Sequence, residues 1–199
     1  LDDVSGSVGH FSGTLDIGGK KKHISFGAAI MATGAGEAVP DEYLYGQEPS
    51  VMTQVEFDRQ VLYSKDGFPG EKCFVFIQCV GSREPDRAYC SRICCIHSVK
   101  AAIDIKIKDP AASVYILYRE IRTYGEWESS YKKAREMDIN FIRYDVDQKP
   151  EVEKGVGRLL VRTYEPILRK QVRIRADYLI LASGVVPNNN RRLADLFKF

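Results

Sequence analysis

The chain has 199 residues, of which 44% are hydrophobic and 28% are charged. This composition is typical of a globular protein, and a net charge of +2 gives no sign of a nucleic-acid-binding surface. No stretch approaches the ~20 apolar residues of a membrane-spanning helix, and the first residues do not resemble a signal peptide. We therefore expect no nucleic-acid partner and no direct membrane span. The odd count of five cysteines favours reduced thiols and a cytoplasmic location.

The first part of the chain is predicted to form β structure. Residues 8–18 and 20–27 alternate polar and apolar side chains around Gly18 and Gly19, which predicts a β-hairpin. The next segment, AAIMATGAGEAVP at residues 28–40, predicts an apolar strand that ends in a turn. We therefore expect an antiparallel hairpin followed directly by a strand.

A similar order of segments recurs near the other end of the chain. An alternating stretch is followed by DYLILASGVVPN at residues 177–188, so an apolar strand again ends in a small residue and a glycine. Such an ending allows the backbone to turn sharply and to come close to a cofactor. The candidate residues are Thr33 and Gly34 in the first segment and Gly184 and Pro187 in the second.

Between these segments, strands and helices alternate. The apolar patterns predict strands at residues 73–80, 113–119 and 139–146, with helices at 89–108 and 126–137 between them. Alternation of this kind predicts a parallel sheet with right-handed crossovers. The expected fold class is α/β, with a Rossmann-like three-layer domain inserted between two β-meander pieces.

Four cysteines lie in the short stretch CVGSREPDRAYCSRICC, namely Cys79, Cys90, Cys94 and Cys95. Cys79 ends a predicted strand, whereas Cys90 and Cys94 lie one turn apart on the predicted helix, with Cys95 displaced by about 100°. Ligands gather beyond the carboxyl ends of strands in open α/β sheets. Soft sulfur donors select iron–sulfur clusters, Zn or Cu(I), so the spacing predicts a metal centre at this edge. The fifth cysteine, Cys73, is interpreted as a core residue.

Two other uses of these cysteines are less favoured. Adjacent cysteines such as Cys94 and Cys95 suit a structural zinc poorly, because such sites use C-x₂₋₄-C pairs. A disulfide framework is unexpected, because the number of cysteines is odd and a chain of this length can bury a core without cross-links. The arginines nearby, Arg83, Arg87 and Arg92, can either hydrogen-bond cluster sulfur or face the solvent.

A dinucleotide competes for the same edge of the sheet. The G-x-G-x-x-G fingerprint is absent after the strand at 73–80, where only Gly81 remains. Without those glycines, close approach of a pyrophosphate to the following helix is not favoured. Arg119, at the end of the next strand, is the strongest argument for a nicotinamide cofactor, because an arginine there can contact a 2′-phosphate.

The chain resembles the two-dinucleotide-domain flavoproteins related to thioredoxin reductase. Within that group, FIQCVGSREPDRAYCSRICCIHSVKAA closely resembles the A subunit of heterodisulfide reductase and its relatives in quinone-interacting complexes. The resemblance runs from IMATGAG to LILASGVVPN and so covers nearly the whole chain. It implies an internal fragment of a larger FAD/NAD(P)-binding subunit. The implied domains are a partial FAD-binding domain at 1–40, a linker at 41–70, an NAD(P)-like Rossmann domain at 71–150, and a β-meander with a return strand at 151–199.

The resemblance also implies cofactors and roles for individual residues. The four clustered cysteines would hold a [4Fe-4S] cluster, and the thioredoxin-reductase-like part would bind FAD, although a fragment can lack either cofactor. Lys100 matches a lysine beside the flavin ring and is the candidate catalytic residue. Glu56 is a candidate partner for Lys100 and a candidate cofactor-binding residue. Thr33, Gly34, Gly184 and Pro187 would line the flavin site. The implied partners are other redox subunits of a heterodisulfide reductase-like or quinone-interacting complex.

Three hypotheses follow for the function. The leading one is a fragment of an electron-transferring iron–sulfur flavoprotein subunit, in which electrons pass between a [4Fe-4S] cluster and FAD. The alternative is a pyridine-nucleotide-dependent flavin disulfide oxidoreductase, in which the adjacent cysteines carry electrons as thiols. The third is a zinc-stabilised interaction domain without catalysis.

Overall fold

A computed structural model describes residues 1–65 and 67–198, which form two compact units. One unit contains residues 1–36 and 186–198, and the other contains residues 37–185. The strands in chain order are β1 (Asp3–Ser7), β2 (His10–Ile17), β3 (Lys20–Phe26), β4 (Ala35–Glu37), β5 (Val51–Thr53), β6 (Cys73–Val80), β7 (Ser113–Tyr118), β8 (Asn140–Arg143), β9 (Glu151–Lys154), β10 (Leu159–Glu165), β11 (Lys170–Ala176), β12 (Tyr178–Ser183) and β13 (Val185–Pro187). The α-helices are α1 (Gln54–Phe57), α2 (Cys94–Lys108), α3 (Trp127–Glu136) and α4 (Arg191–Phe197).

In the first unit, β1, β2 and β3 form an antiparallel sheet. The predicted hairpin is confirmed, because β2 and β3 pair on either side of Gly18 and Gly19. Both glycines have positive φ, at 59° and 85°, as a two-residue hairpin turn of the mirror-image type requires. Stacking of Phe11 on Phe26, with ring centroids 5.4 Å apart, holds the two strands together from one face.

The strand predicted at residues 28–40 is wrong over most of its length. Only Ala35–Glu37 is a strand, and it pairs with β13, whereas residues 28–34 have no regular structure. Ile30 is 91% exposed. The physical reason is that no described strand pairs with residues 28–34, so their backbone N–H and C=O groups have no ladder to join.

In the second unit, five parallel strands form one sheet in the order β5-β12-β6-β7-β8. The predicted strands at 73–80, 113–119 and 139–146 are confirmed as β6, β7 and β8, and the last is shorter than expected. The α/β class with a parallel sheet is therefore confirmed. Within the described residues, no helix is long and apolar enough to cross a membrane.

Each face of this sheet buries a separate cluster of apolar side chains. On one face, Phe74 and Phe76 of β6 pack with α2 and with the segment that follows β5. On the other face, Val75 and Ile77 pack with the antiparallel sheet β9, β10 and β11. Because both faces are covered, β6 is an almost continuous apolar run, as a central parallel strand should be.

The two units divide the chain differently from the predicted domains. The segment 41–70, predicted as a linker, supplies β5 and α1, which continues into a π-helical turn at Asp58–Leu62. Phe57 and Leu62 of this segment are fully buried. Residues 151–185, predicted to belong to a separate meander, lie in the same unit as 71–150 because the meander covers one face of the parallel sheet.

Close contact between the chain segments after β6 and β12 generates a prediction about Gly184. A Cβ atom at Gly184 would lie 2.9 Å from the carbonyl oxygen of Gly81, which is closer than van der Waals contact allows. We expect Gly184→Ala to lower the free energy of unfolding by about 1–3 kcal/mol, measured by chemical denaturation. The matched control is Gly36→Ala, where a Cβ meets nothing within 4 Å. Equal effects of the two changes would contradict the explanation.

Candidate metal centre

The cysteine-rich loop lies at the point where the order in which strands are added to the parallel sheet reverses. After β6 the chain adds β7 and β8 on one side, and it later returns to add β12 on the other side. A crevice opens at such a switch point, beyond the carboxyl ends of the strands, and is the usual ligand site of open α/β sheets. Cys79, next to last in β6, is at this edge, as predicted.

A β-bulge near the end of β6 sets the direction of Cys79. Leu181 of β12 pairs with Ile77, but Ser183 pairs with Val80, so β6 contains one residue more than its partner over this step. Cys79 has φ of +63°, which is costly for a residue with a side chain. The bulge returns Val80 to the face that Ile77 occupies and takes Cys79 out of the alternation.

The predicted helix at 89–108 is wrong at its beginning, because α2 starts only at Cys94. Cys90 is therefore in the loop and does not share a helix face with Cys94. Hydrogen bonds to the segment after β12 hold this part of the loop: Ser91 Oγ accepts from the Val185 N–H, and the Tyr89 hydroxyl donates to the Val185 carbonyl, both at 2.8 Å. These contacts with a distant segment compete with the first helical turn.

Two of the cysteines contact the carboxyl ends of the strands beside β6. The Cys94 thiol donates to the carbonyl oxygen of Ser183, the last residue of β12, at 3.7 Å. The Cys95 thiol donates to the carbonyl oxygen of Glu120, just after β7, at 3.6 Å. The cysteines of the strand and of the helix thus lie at one edge of the sheet, and Cys90 lies in the loop that joins them.

Three of the four clustered thiols have a raised pKa, and burial is the main cause. Burial raises the pKa of Cys94 to about 12, and negative charge on Cys95, Cys79 and Cys90 contributes to the increase. Burial also raises the pKa of Cys79 and of Cys95. All five cysteines of the chain are free thiols. Within residues 1–65 and 67–198, no group of three or more His, Cys, Asp or Glu side chains is arranged to hold a single metal ion.

Of the three arginines predicted near the cluster, Arg83 acts on a cysteine through its side chain, whereas Arg92 does so through its backbone N–H, which donates to Cys90 Sγ at 3.4 Å. Burial is the largest effect on the pKa of Cys79 and raises it, whereas the nearby Arg83 guanidinium lowers it. Arg87 instead donates to the Gly81 carbonyl oxygen and braces the turn after β6. The Arg92 side chain is exposed.

Sequence reasoning missed Arg122, which lies near Cys90. The pKa of Arg122 is raised by its hydrogen bond to Glu120 and by negative charge on Cys90. Its position shortly after a parallel strand, two residues beyond Glu120, was the available signal. Arg119, considered above for a nicotinamide phosphate, is already engaged: it donates to the Arg83 carbonyl oxygen at 3.1 Å and pairs with Glu84 at 3.4 Å.

A buried polar network lies directly beneath the cysteines and was also missed. The side-chain amides of Gln54 and Gln78 both donate to the hydroxyl of Ser98. Gln78 precedes Cys79, and Ser98 is one helical turn after Cys94, so the network joins the bulge to the start of α2. Gln78 and Ser98 are fully buried, which makes these bonds costly to lose.

Glu56 does not pair with Lys100, and that expectation is wrong. Its carboxylate accepts from the Thr53 N–H and from the Tyr45 hydroxyl, both at 2.8 Å. With Thr53 it forms a capping box at the start of α1. The T-x-x-E spacing of residues 53–56 is the sequence pattern of this motif and could have revealed it.

The other predicted cofactor residues are divided between the two units. In the second unit, Lys100 places its ammonium group 4.2 Å from the centroid of the Trp127 ring, and Gly184 lies against Gly81. In the first unit, the Thr33 carbonyl oxygen accepts from the Asn188 side chain at 2.7 Å, so the two similar segments of the sequence meet. Gly34 has φ of +68°, and Pro187 ends β13.

Solved structures place the fold in a known class. Thioredoxin reductase of Lactococcus lactis matches with a TM-score of 0.51 at 17% identity, over 98% of this chain and 55% of that one. L-lysine 6-monooxygenase of Pseudomonas syringae also matches with a TM-score of 0.51, at 9% identity, over 97% of this chain and 54% of that one. The chain has the fold of the thioredoxin-reductase-like flavoproteins.

Curated relatives give a narrower assignment. The iron-sulfur A subunit of the CoB–CoM heterodisulfide reductase of Methanocaldococcus jannaschii is 34% identical over 87% of this chain, and the match spans 29% of that protein. The A subunit of the H(2):CoB-CoM heterodisulfide,ferredoxin reductase of Methanothermobacter marburgensis is 35% identical over 82% of this chain and 27% of its own length. No protein-family model matches. The chain belongs to the family of heterodisulfide reductase A subunits, and it spans less than a third of the length of these relatives.

The buried network generates a prediction about Ser98. Ser98→Ala removes the acceptor shared by two buried amides, so we expect the free energy of unfolding to fall by about 1–3 kcal/mol. The control is Ser129→Ala on the exposed surface of α3, which should stay within about 0.5 kcal/mol of the wild type. Chemical denaturation of both variants measures the difference. A Ser98→Ala variant as stable as the control would show that the amides find other partners.

Proposed function

We propose that the chain is the part of an electron-transferring oxidoreductase subunit that holds a [4Fe-4S] cluster through Cys79, Cys90, Cys94 and Cys95. The observation that carries the proposal is that Cys79, Cys94 and Cys95 lie at the switch point of the parallel sheet, where a bulge takes Cys79 out of the strand alternation. The name of the Methanocaldococcus relative, which describes an iron-sulfur subunit, supports the same chemistry.

The residues present fit an iron–sulfur cluster. The donor set is made only of thiols, which are the ligands that such clusters prefer. Burial raises the pKa of three of these thiols, so a cationic group bound among them would supply the charge that favours the thiolate form. When bound, the cluster would accept and donate single electrons.

The chain's own residues would perform three tasks at this centre. The bulge in β6 orients Cys79, and the Gln54, Gln78 and Ser98 network holds β6 against α2. The backbone N–H groups at the start of α2 carry partial positive charge beside Cys94 and Cys95. Cys95 is buried and the other three cysteines are half-buried, which would limit the access of water to a bound cluster.

We also propose that the intact protein binds FAD and that Thr33, Gly34, Gly184, Pro187 and Lys100 contribute to its binding. The ornithine N-hydroxylase of Kutzneria, whose structure is described with reduced FAD and NADP+, matches with a TM-score of 0.51 at 10% identity over 93% of this chain. The relatives' names, which include a heterodisulfide,ferredoxin reductase, support partners that are other redox subunits of a heterodisulfide reductase-like complex. A cytoplasmic location is part of this proposal.

Anaerobic reconstitution of the chain with iron and sulfide tests the metal centre. We expect about four irons per chain, measured by metal analysis together with the visible absorption of the cluster. Cys79→Ala, Cys90→Ala, Cys94→Ala and Cys95→Ala should each lose most of the iron. Cys73→Ala is the matched control, because Cys73 is buried at the opposite end of the same strand, and it should keep the full iron content.

Other outcomes would identify the competing functions. One tightly bound zinc per chain in place of iron would support a structural site and contradict the proposal. A disulfide between the clustered cysteines that NADPH plus FAD reduces to two thiols, with no iron bound, would support the nicotinamide-dependent disulfide oxidoreductase. The engagement of Arg119 by Glu84 and by the Arg83 backbone weighs against that second function.

A further inference from the structure

Two arginines and one glutamate stand beside the cysteines in an arrangement that sequence reasoning did not foresee. Glu120 binds both arginines through its carboxylate: Arg83 Nη2 lies 3.3 Å from one oxygen, and Arg122 Nη2 lies 2.8 Å from the other. The backbone carbonyl of the same Glu120 accepts from the Cys95 thiol. We call this trio, Arg83, Glu120 and Arg122, the arginine wall.

The wall joins the cysteine loop to the segment after β7. Arg83 follows a tight turn in which the Ser82 N–H donates to the Cys79 carbonyl at 3.2 Å, and its own φ is +60°. Glu120 and Arg122 come from the segment after β7. The wall therefore connects two neighbouring strand ends beside the thiols.

The Arg83 guanidinium has unused hydrogen-bonding capacity. Its side chain is only 18% exposed, and its Nη1 atom is buried without a hydrogen-bond partner among the described residues. A buried unpaired N–H of a cation is costly, and such a group is usually satisfied by an acceptor. Sulfur atoms bound at the cysteines would supply acceptors on this side. Arg122 reaches the same region from the other end of Glu120, near Cys90.

We propose that the arginine wall raises the reduction potential of the metal centre by placing two guanidinium groups, offset by one carboxylate, beside Cys79 and Cys90. The inference rests on the proposed function. The reason is electrostatic: one-electron reduction adds negative charge at the site, and nearby positive charge stabilises the reduced form. Arg83 and Arg122 act through the electric field of their positive charges, and they do not themselves exchange electrons.

Redox titration of the reconstituted chain with dithionite, followed by electron paramagnetic resonance of the reduced state, tests the wall. Arg83→Gln and Arg122→Gln should each shift the midpoint potential to a more negative value. Glu120→Gln should shift it to a more positive value, because both guanidinium charges then remain without their counter-charge. Arg92→Gln, an equal charge change at an exposed position in the same loop, should produce a smaller shift than either wall arginine. A purely structural role does not produce shifts of opposite sign.

Iron content separates failure of the wall from failure of the metal centre. If the wild-type chain binds no iron after reconstitution, both the proposed function and the proposed role of the arginine wall are overturned. Iron-loaded variants with unchanged potentials, or a Glu120→Gln shift in the same direction as the arginine variants, overturn only the wall. If Arg83→Gln loses its iron, the Arg83→Lys variant is measured instead. An Arg83→Lys variant that keeps its iron and has a midpoint potential near that of the wild type supports the role of charge. An Arg83→Lys variant that also loses its iron overturns that role for Arg83.

Discussion

The position of Cys79 depends on the register between β6 and β12, where one strand contains a residue more than the other. In an unbroken strand, Cys79 would follow Ile77 onto the face that packs against the meander, among apolar side chains. The extra residue lets Val80 fill that face, and Cys79 adopts a left-handed backbone conformation that costs about 1–2 kcal/mol. Contacts on both faces of the sheet hold this conformation, so the packing of the whole unit maintains the site.

The same edge of the sheet concentrates groups that are unfavourable in isolation. Buried thiols have raised pKa values, Gln78 and Ser183 each keep a buried oxygen without a partner among the described residues, and Arg83 likewise keeps a buried nitrogen. Each group costs free energy unless a ligand or a counter-charge satisfies it. Their concentration around one strand end, while the two faces of the sheet are filled with apolar side chains, agrees with a binding role for this edge.

The edge of this sheet differs from that of a nucleotide-binding sheet in the residues that it presents. In a Rossmann fold, glycines after the first strand let a pyrophosphate approach the following helix. Here the corresponding loop contains Cys79, Arg83 and Cys90, and α2 begins with Cys94 and Cys95. Charged side chains already occupy the region where a 2′-phosphate would be read, because Arg119 pairs with Glu84. The thiols at this edge are soft ligands that suit a metal centre, and the parallel sheet beneath them has the same strand arrangement as a nucleotide-binding sheet.

Local patterns in the sequence were sufficient for the elements whose neighbours are close in the chain. The hairpin around Gly18 and Gly19, the three central strands and the α/β class followed from alternation, apolar runs and turn residues. The strand predicted at residues 28–40 was wrong over most of its length because a strand depends on its partners as much as on its own apolar pattern. The capping box of Thr53 and Glu56 was visible in the sequence, but a long-range pairing with Lys100 was preferred to this local one.

The sequence by itself determined the four thiols, their closeness along the chain and the strand that presents the first of them. Only the tertiary structure decided that Cys90 lies outside the helix, that Ser98 joins Gln54 and Gln78, and that Arg122 lies by the cysteines while Arg87 braces a turn. The reason is that these arrangements depend on contacts between segments far apart in sequence, such as Ser91 with Val185 and Arg83 with Glu120. Register, bulges and ion pairs of this kind arise when strands meet, and no local pattern specifies which partners they meet.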